Sequence, residues 1–233
     1  MRSANRKEIA MRSANRKEIA MRTAIALLTV SLTIGSSLLG HAAILAEYSF
    51  GGDSPSSTDT DDLSAASDFS ATGFAVDYTT QGNPAPALFA DSTETTDGGA
   101  APGGDYWEFT VTPTGKLTLT SLEFDVRTVN NLGSTSDFYV RSSVDSFSSD
   151  LYSILGNGVF GYSDFDPNID LTGGAFDNLT SAVTFRFYPD PQFEIAGRGY
   201  AMDNVVLQGT AIPEPASFVV LGLAALFCLR HRQ

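Results

Sequence analysis

The chain reads as an all-β protein, an antiparallel β-sandwich of jelly-roll type, and three observations carry this reading. Apolar residues recur with a period of two: Trp107, Phe109 and Val111 alternate with Tyr106, Glu108 and Thr110, the pattern of a half-buried strand. Gly, Ser, Thr, Asp and Asn cluster between such runs and supply turn chemistry. Helix-forming runs of Ala, Leu, Glu and Lys are missing from the body of the chain, so no amphipathic helix competes for the core.

Taken in order, strands are predicted at Ala43 to Phe50, Gly73 to Tyr78 and Tyr106 to Val111, the last stopped by Pro113 and Gly115. Next, Leu117 and Leu119 share one parity while Leu122, Phe124 and Val126 share the other. One face of a strand accepts both sets only if an extra residue intervenes, which predicts a bulge or tight turn at Thr120-Ser121. Further strands are predicted at Phe138 to Arg141, Ala182 to Tyr188 and Tyr200 to Gly209. Ser148 to Gly158 has room for one helical turn, and Gly51 to Ser67, rich in Ser, Thr and Asp, is expected to be a mobile loop. The sandwich domain is placed at residues 43–210, one unit of comfortable size.

Both ends carry export chemistry. Residues 1–42 form a leader in which Met1 to Ala10 is repeated unchanged as Met11 to Ala20, so Met1, Met11 and Met21 all offer a start, with Met21 alone giving a signal peptide of normal length. After Met21-Arg22 comes an apolar run from Ala24 to Leu39. The small residues before the Ala42/Ala43 bond predict removal by signal peptidase, with Ala43 first in the mature chain. Residues 211–233 hold Pro213-Glu214-Pro215, an apolar stretch from Ala216 to Leu229, and the basic end Arg230-His231-Arg232. Two prolines keep the polar approach extended. The 14 residues from Ala216 to Leu229 make about 21 Å of helix against about 30 Å of hydrocarbon, so this membrane helix suits a temporary anchor. Arg230 and Arg232 hold its far end in the cytoplasm.

Proline-glutamate-proline, a short apolar helix and an arginine-rich end together resemble the PEP-CTERM sorting signal of exported proteins in Gram-negative bacteria that make extracellular polysaccharide. The resemblance implies processing by an exosortase near Pro213-Glu214-Pro215. It also implies a final place at the cell surface or in the extracellular matrix or biofilm.

With both signals set aside, residues 23–212 contain five basic and 24 acidic residues, a net charge of about −19. Such a surface repels nucleic acid and anionic membranes and attracts cations. His41, His231 and Cys228 all lie in the leader or tail, so the body has neither histidine nor cysteine. That excludes Ser-His-Asp and Cys-His catalysis, zinc or copper sites on imidazole or thiolate, and disulfides.

Two short segments, Ile44-Leu45-Ala46-Glu47 and Met202-Asp203-Asn204-Val205-Val206-Leu207, resemble calcium-supported carbohydrate-binding sandwiches with a galactose-binding-like fold. The resemblance implies a structural Ca2+ held by Glu47 and Asp203, with oxygen ligands completing the shell. The loops Asp53 to Asp62 and Asp164 to Asp170 are rival cation sites. A carboxylate pair for glycoside hydrolysis has one pair of candidates, Glu108 and Glu123, but alternation with buried neighbours turns both toward solvent. For sugar stacking, Trp107 shares the parity of Phe109 and belongs to the core, leaving Tyr106, Tyr139, Tyr162, Tyr188 and Tyr200 as the exposed candidates. The chain is therefore expected to be a non-catalytic, exported protein with extracellular polysaccharide as its ligand class. A secreted carboxylate-based glycoside hydrolase and a purely structural spacer stand as alternatives.

Overall fold

Alternating burial along the strands builds two layers. A computed structural model describes residues 42–59, 61–81, 85–95, 104–130, 136–155, 164–190 and 195–212; the leader repeat, the Pro213-Glu214-Pro215 motif, the Ala216–Leu229 stretch and Tyr162 lie outside these residues. The strands are β1 (Ala42–Tyr48), β2 (Ser64–Ala66), β3 (Ser70–Thr72), β4 (Asp77–Thr79), β5 (Ala87–Asp91), β6 (Tyr106–Pro113), β7 (Lys116–Val129), β8 (Asp137–Ser142), β9 (Tyr152–Ile154), β10 (Asp164–Phe165), β11 (Asn168–Asp170), β12 (Val183–Asp190) and β13 (Gly199–Ile212).

Sheet A runs β10-β7-β13-β5-β4, with β11 also on β7 and β1 also on β13. Sheet B runs β2-β6-β12-β8-β9, with β3 also on β6. All pairings are antiparallel. The chain passes from one sheet to the other at nearly every step: β1 in A, β2–β3 in B, β4–β5 in A, β6 in B, β7 in A, β8–β9 in B, β10–β11 in A, β12 in B and β13 in A. That repeated crossing is the jelly-roll arrangement anticipated from the strand spacing.

The core lies between the sheets. Trp107, Phe109 and Val111 of β6 and Val183, Phe185 and Phe187 of β12 face Leu122, Phe124 and Val126 of β7 and Met202, Val205 and Leu207 of β13. Trp107 is fully buried, as its parity predicts. The bulge foreseen at Thr120-Ser121 is present. Gln208 pairs with Ser121 and Gly209 with Leu119, so Thr120 is the extra residue that lets Leu117 and Leu119 join Leu122, Phe124 and Val126 in the core.

Three local expectations are corrected. Gly73 to Tyr78 is not one strand: β3 ends at Thr72 and β4 begins at Asp77, with Gly73 at φ +87° making the turn. Gly51 to Ser67 is tied down rather than loose. Thr58 N–H donates to the Glu47 carbonyl at 2.8 Å, the Ser57 hydroxyl accepts from Glu47 N–H at 3.1 Å, and Ser64–Ala66 joins sheet B as β2. Residues 148–155 hold strand β9 on β8 instead of a helical turn, and the 3-10 turn falls earlier, at Ser143–Asp145.

At the end of the sandwich where β5 finishes, Asp91 organises the turn. Its carboxylate accepts hydrogen bonds from Thr93 N–H at 2.9 Å, the Thr93 hydroxyl at 2.8 Å and Gly197 N–H at 2.7 Å. Partial burial pushes its pKa up, but the donors of Thr93 and Gly197 outweigh burial and hold it below 3.8. A depressed carboxyl contributes stability that is complete above the unfolded-state value and fades as pH falls through the folded one. Urea midpoints should therefore be level above about pH 5 and drop below about pH 4, with a shallower drop in Asp91→Asn. An equal acid slope in wild type and Asp91→Asn removes the assignment.

Candidate functional site

Small residues open a cleft on the outer face of sheet A. Opposite in parity to the buried Tyr200 and Met202, β13 turns Ala201 and Asp203 outward; β7 does the same with Asp125 and Arg127, and β5 with Ala87 and Phe89. Ala201 pairs with Arg127 on one side and Phe89 on the other, and Asp203 pairs with Asp125. With only methyl groups at Ala87 and Ala201, the centre of the face is recessed. A cleft of about 140 Å³ results, lined by Gln81, Ala87, Asp125, Val126, Arg127, Asp164, Asp166, Ala201 and Asp203.

A second bulge, which the sequence pattern did not foretell, shapes this cleft. Between the Asp203–Asp125 and Val206–Glu123 pairs, β13 holds one residue more than β7, and Asn204 takes φ +49°. Asn204 then serves both carboxylates, its side-chain Nδ2 donating to Asp125 Oδ2 at 2.6 Å and its backbone N–H to Asp203 Oδ1 at 2.8 Å. Across the cleft, Arg127 is braced by a two-point ion pair to Asp164 (Nε to Oδ1, and Nη2 to Oδ2 at 3.0 Å) and donates from Nη1 to the Gln81 carbonyl at 3.0 Å. Four carboxylates, a guanidinium fork and an alanine floor thus converge on one concavity. Such a lining accepts hydrogen bonds from hydroxyl groups and favours ligands that are neutral or cationic over anions.

The cation sites expected from sequence are distributed differently. Asp203 is 2 % exposed and belongs to the cleft. Glu47 does not line it: Glu47 pairs with Val206 further along β13, and its Oε2 accepts from the Thr58 hydroxyl at 3.4 Å. In the Asp164–Asp170 segment the alternating oxygens spread along β7 instead of wrapping one point. Asp164 holds Arg127, Asn168 donates to Glu123 at 3.1 Å, and Asp170 accepts from Thr172 N–H at 2.8 Å. In the Asp53 to Asp62 loop, Asp59 and Asp61 are engaged by Asp61 N–H and the Ser64 hydroxyl, both at 2.8 Å. Among the described residues, no three His, Cys, Asp or Glu side chains converge closely enough to hold a metal ion.

The outer face of sheet B brings together three of the sequence-selected tyrosines and closes over them. Tyr188 and Tyr139 pair directly across β12 and β8, and Tyr106 meets Tyr188 at 5.4 Å between ring centroids. The next row is Glu108, Arg186 and Arg141. Arg186 lies 4.0 Å from the Tyr106 ring and 3.9 Å from the Phe147 ring, with Nε 2.9 Å from Glu108 Oε2. Arg141 sits 6.0 Å over Tyr188 and donates from Nε to Asp150 at 2.6 Å. The chain's own guanidinium groups therefore occupy the aromatic faces. The expectation of exposure is corrected for Tyr139 and Tyr188, which are 5 % and 6 % exposed, and for Tyr200, which packs in the core 5.4 Å from Phe138. Burial pushes the Tyr188 hydroxyl up and, aided by its hydrogen bond to Asp137, does the same to Tyr139.

Glu108 and Glu123 do not form the carboxylate pair of a glycoside hydrolase. Glu108 points out from sheet B and Glu123 out from sheet A. Sheets stack about 10 Å apart and both side chains lead away from the interface, which exceeds the roughly 5 to 9.5 Å such chemistry uses.

No family model matches the chain, and no curated protein matches it. Among solved structures, the K3 cleaved adhesin domain of Lys-gingipain from Porphyromonas gingivalis is similar at 12 % identity and TM-score 0.40, covering 71 % of this chain and 98 % of that one. CBM27-1 of Caldicellulosiruptor saccharolyticus in complex with mannohexaose gives 14 % identity and TM-score 0.38 over 71 % and 96 %. The mannan-recognising module TmCBM27 gives 17 % and 0.38 over 72 % and 98 %. Likenesses this loose decide neither fold nor ligand; the two sheets described above define the fold.

Proposed function

We propose that this chain is an exported, surface-sorted, non-catalytic protein of the extracellular matrix or biofilm of a Gram-negative bacterium, with its sheet A cleft holding a polysaccharide. Signal peptidase removes the leader after Ala42, and an exosortase cuts near Pro213-Glu214-Pro215 once the short 216–229 helix has paused the chain in the membrane. The observation that carries the binding reading is the cleft itself, where Asp125, Asp203, Asp166 and Arg127 surround an alanine floor. Sugar hydroxyls donate to such carboxylates. An acidic wall favours neutral over uronic-acid polymers.

Glycan binding by residues 43–212 tests this. Neutral polysaccharide should be retained, and the double substitution Asp125→Asn, Asp203→Asn should weaken retention at least about tenfold, or 1.4 kcal/mol, while Glu108→Gln on the opposite sheet leaves it unchanged. Repeating the titration with millimolar Ca2+ and with chelator separates a sugar held by side chains alone from one bridged by a cation at Asp203. Failure with every neutral and acidic polymer leaves a structural spacer. The intact mass of the mature protein reads both cuts, with Ala43 expected at the N-terminus and the C-terminus within Pro213 to Pro215.

A further inference from the structure

The first strand starts where the last one stops. Ala42 pairs with Thr210 at one corner of sheet A, and two residues later β13 ends with Ile212 paired to Lys116. The leader therefore runs into β1, and the sorting tail leaves β13, at the same end of the sandwich and on adjacent strands, which lie about 4.8 Å apart. Only Pro213, Glu214 and Pro215 separate Ile212 from the first residue of the apolar stretch. Three residues span about 10 Å at most.

We propose, resting on the reading of residues 213–233 as a membrane-anchored sorting tail, that the uncut protein stands by this one end on the non-cytoplasmic face of the membrane that holds its anchor. The loop 177–182, the 113–116 turn and the β1/β13 corner face lipid headgroups. Leu179 bridges to Leu117 beside Lys116, which places the 177–182 loop at this end. The opposite end, where Gly199 pairs with Asp91 and Gly197 donates to Asp91, is a full strand length away. β13 has 14 residues, or about 48 Å at 3.4 Å each. Cutting the tail frees the domain from this posture, so release and reorientation are one event.

The body has no cysteine, which makes single-site labels simple to place. In a full-length Cys228→Ser background, Ser181→Cys marks the near end and Ala196→Cys the far end, both exposed positions. Each is labelled with a fluorophore and inserted in vesicles of zwitterionic phosphatidylcholine carrying a nitroxide headgroup quencher. Quenching at position 181 should exceed that at 196 at least threefold, and a 12-residue Gly-Ser insertion between Ile212 and Pro213 should erase the difference. Equal quenching at the two positions in a chain that floats with the vesicles overturns the posture while leaving the anchor intact. A chain that does not float overturns the sorting reading itself, and the posture with it.

Discussion

Gly199→Ala should unfold one edge of sheet A and lower the stability of the sandwich by about 3 kcal/mol, at the upper end of what forcing extra atoms into a packed site costs. A Cβ at this position would stand 1.8 Å from the Ala90 carbonyl oxygen and 2.8 Å from its carbon, both backbone atoms of β5. No rotamer relieves such a clash; the strands must part. The pairs Gly199–Asp91 and Tyr200–Ala90 would be lost first, and with them the seating of Tyr200, which is 1 % exposed. Gly197→Ala is the matched control. It sits at φ +74° with nothing within 4 Å of a Cβ, so its cost is only the left-handed backbone, about 1 kcal/mol. Urea midpoints for the two variants, with the denaturant slope unchanged, check the contrast. Equal losses would mean that β5 moves aside freely.

The contrast also explains which parts of this fold could be read from residues alone. Period-two burial marks β6, β7, β12 and β13 because each has several large side chains on one face and polar ones on the other, and the parity switch at Thr120 was visible as a conflict between two such sets. By comparison, β2, β3 and β4 have three residues each and few large apolar groups; their positions are set by pairing with a longer strand, which no local pattern records. The cleft was partly legible. Asp203 stands out through the resemblance of its strand to calcium-supported sandwiches and the Asp164–Asp170 segment through its alternating oxygens, whereas Asp125, Arg127 and Gln81 carry no such mark. What joins them is the bulge at Asn204 and the recess over two alanines, and both depend on register across three strands. Tyr139 and Tyr188 depart from the alternation rule for a related reason. Alternation does turn them out of the core, but Arg141, Arg186 and the 143–150 segment fold back over that face, and long side chains can cover a sheet as fully as another layer does.

Phe109→Ala should cost about 3 to 5 kcal/mol, a large part of the roughly 5 to 15 kcal/mol that holds an ordinary domain together. Phe109 is 1 % exposed and joins the two layers. Its ring lies 5.2 Å from Tyr48 on sheet A, 5.2 Å from Phe69 in the connection between β2 and β3, and 5.5 Å and 6.1 Å from Phe185 and Phe187 on the neighbouring strand of its own sheet. Tyr48 and Phe69 meet edge to face at 4.7 Å, so the cavity left by the ring is walled by aromatics that already constrain one another and cannot all close on it. Phe109→Leu keeps most of the buried area and should lose only about 1 to 1.5 kcal/mol. The body contains no disulfide-forming cysteine to hold the layers together when this packing fails. Trp107, the only tryptophan of the chain, is buried on the same face of β6 and packs edge to face on Phe74 at 5.5 Å. Its emission should therefore stay blue-shifted in both folded variants while the urea midpoint falls in the order wild type, Leu, Ala. A red-shifted native spectrum in Phe109→Ala would mean that the ring holds the strand in place; a loss below about 1.5 kcal/mol would mean that Tyr48 and Phe69 collapse into the space, and that the two sheets are joined elsewhere.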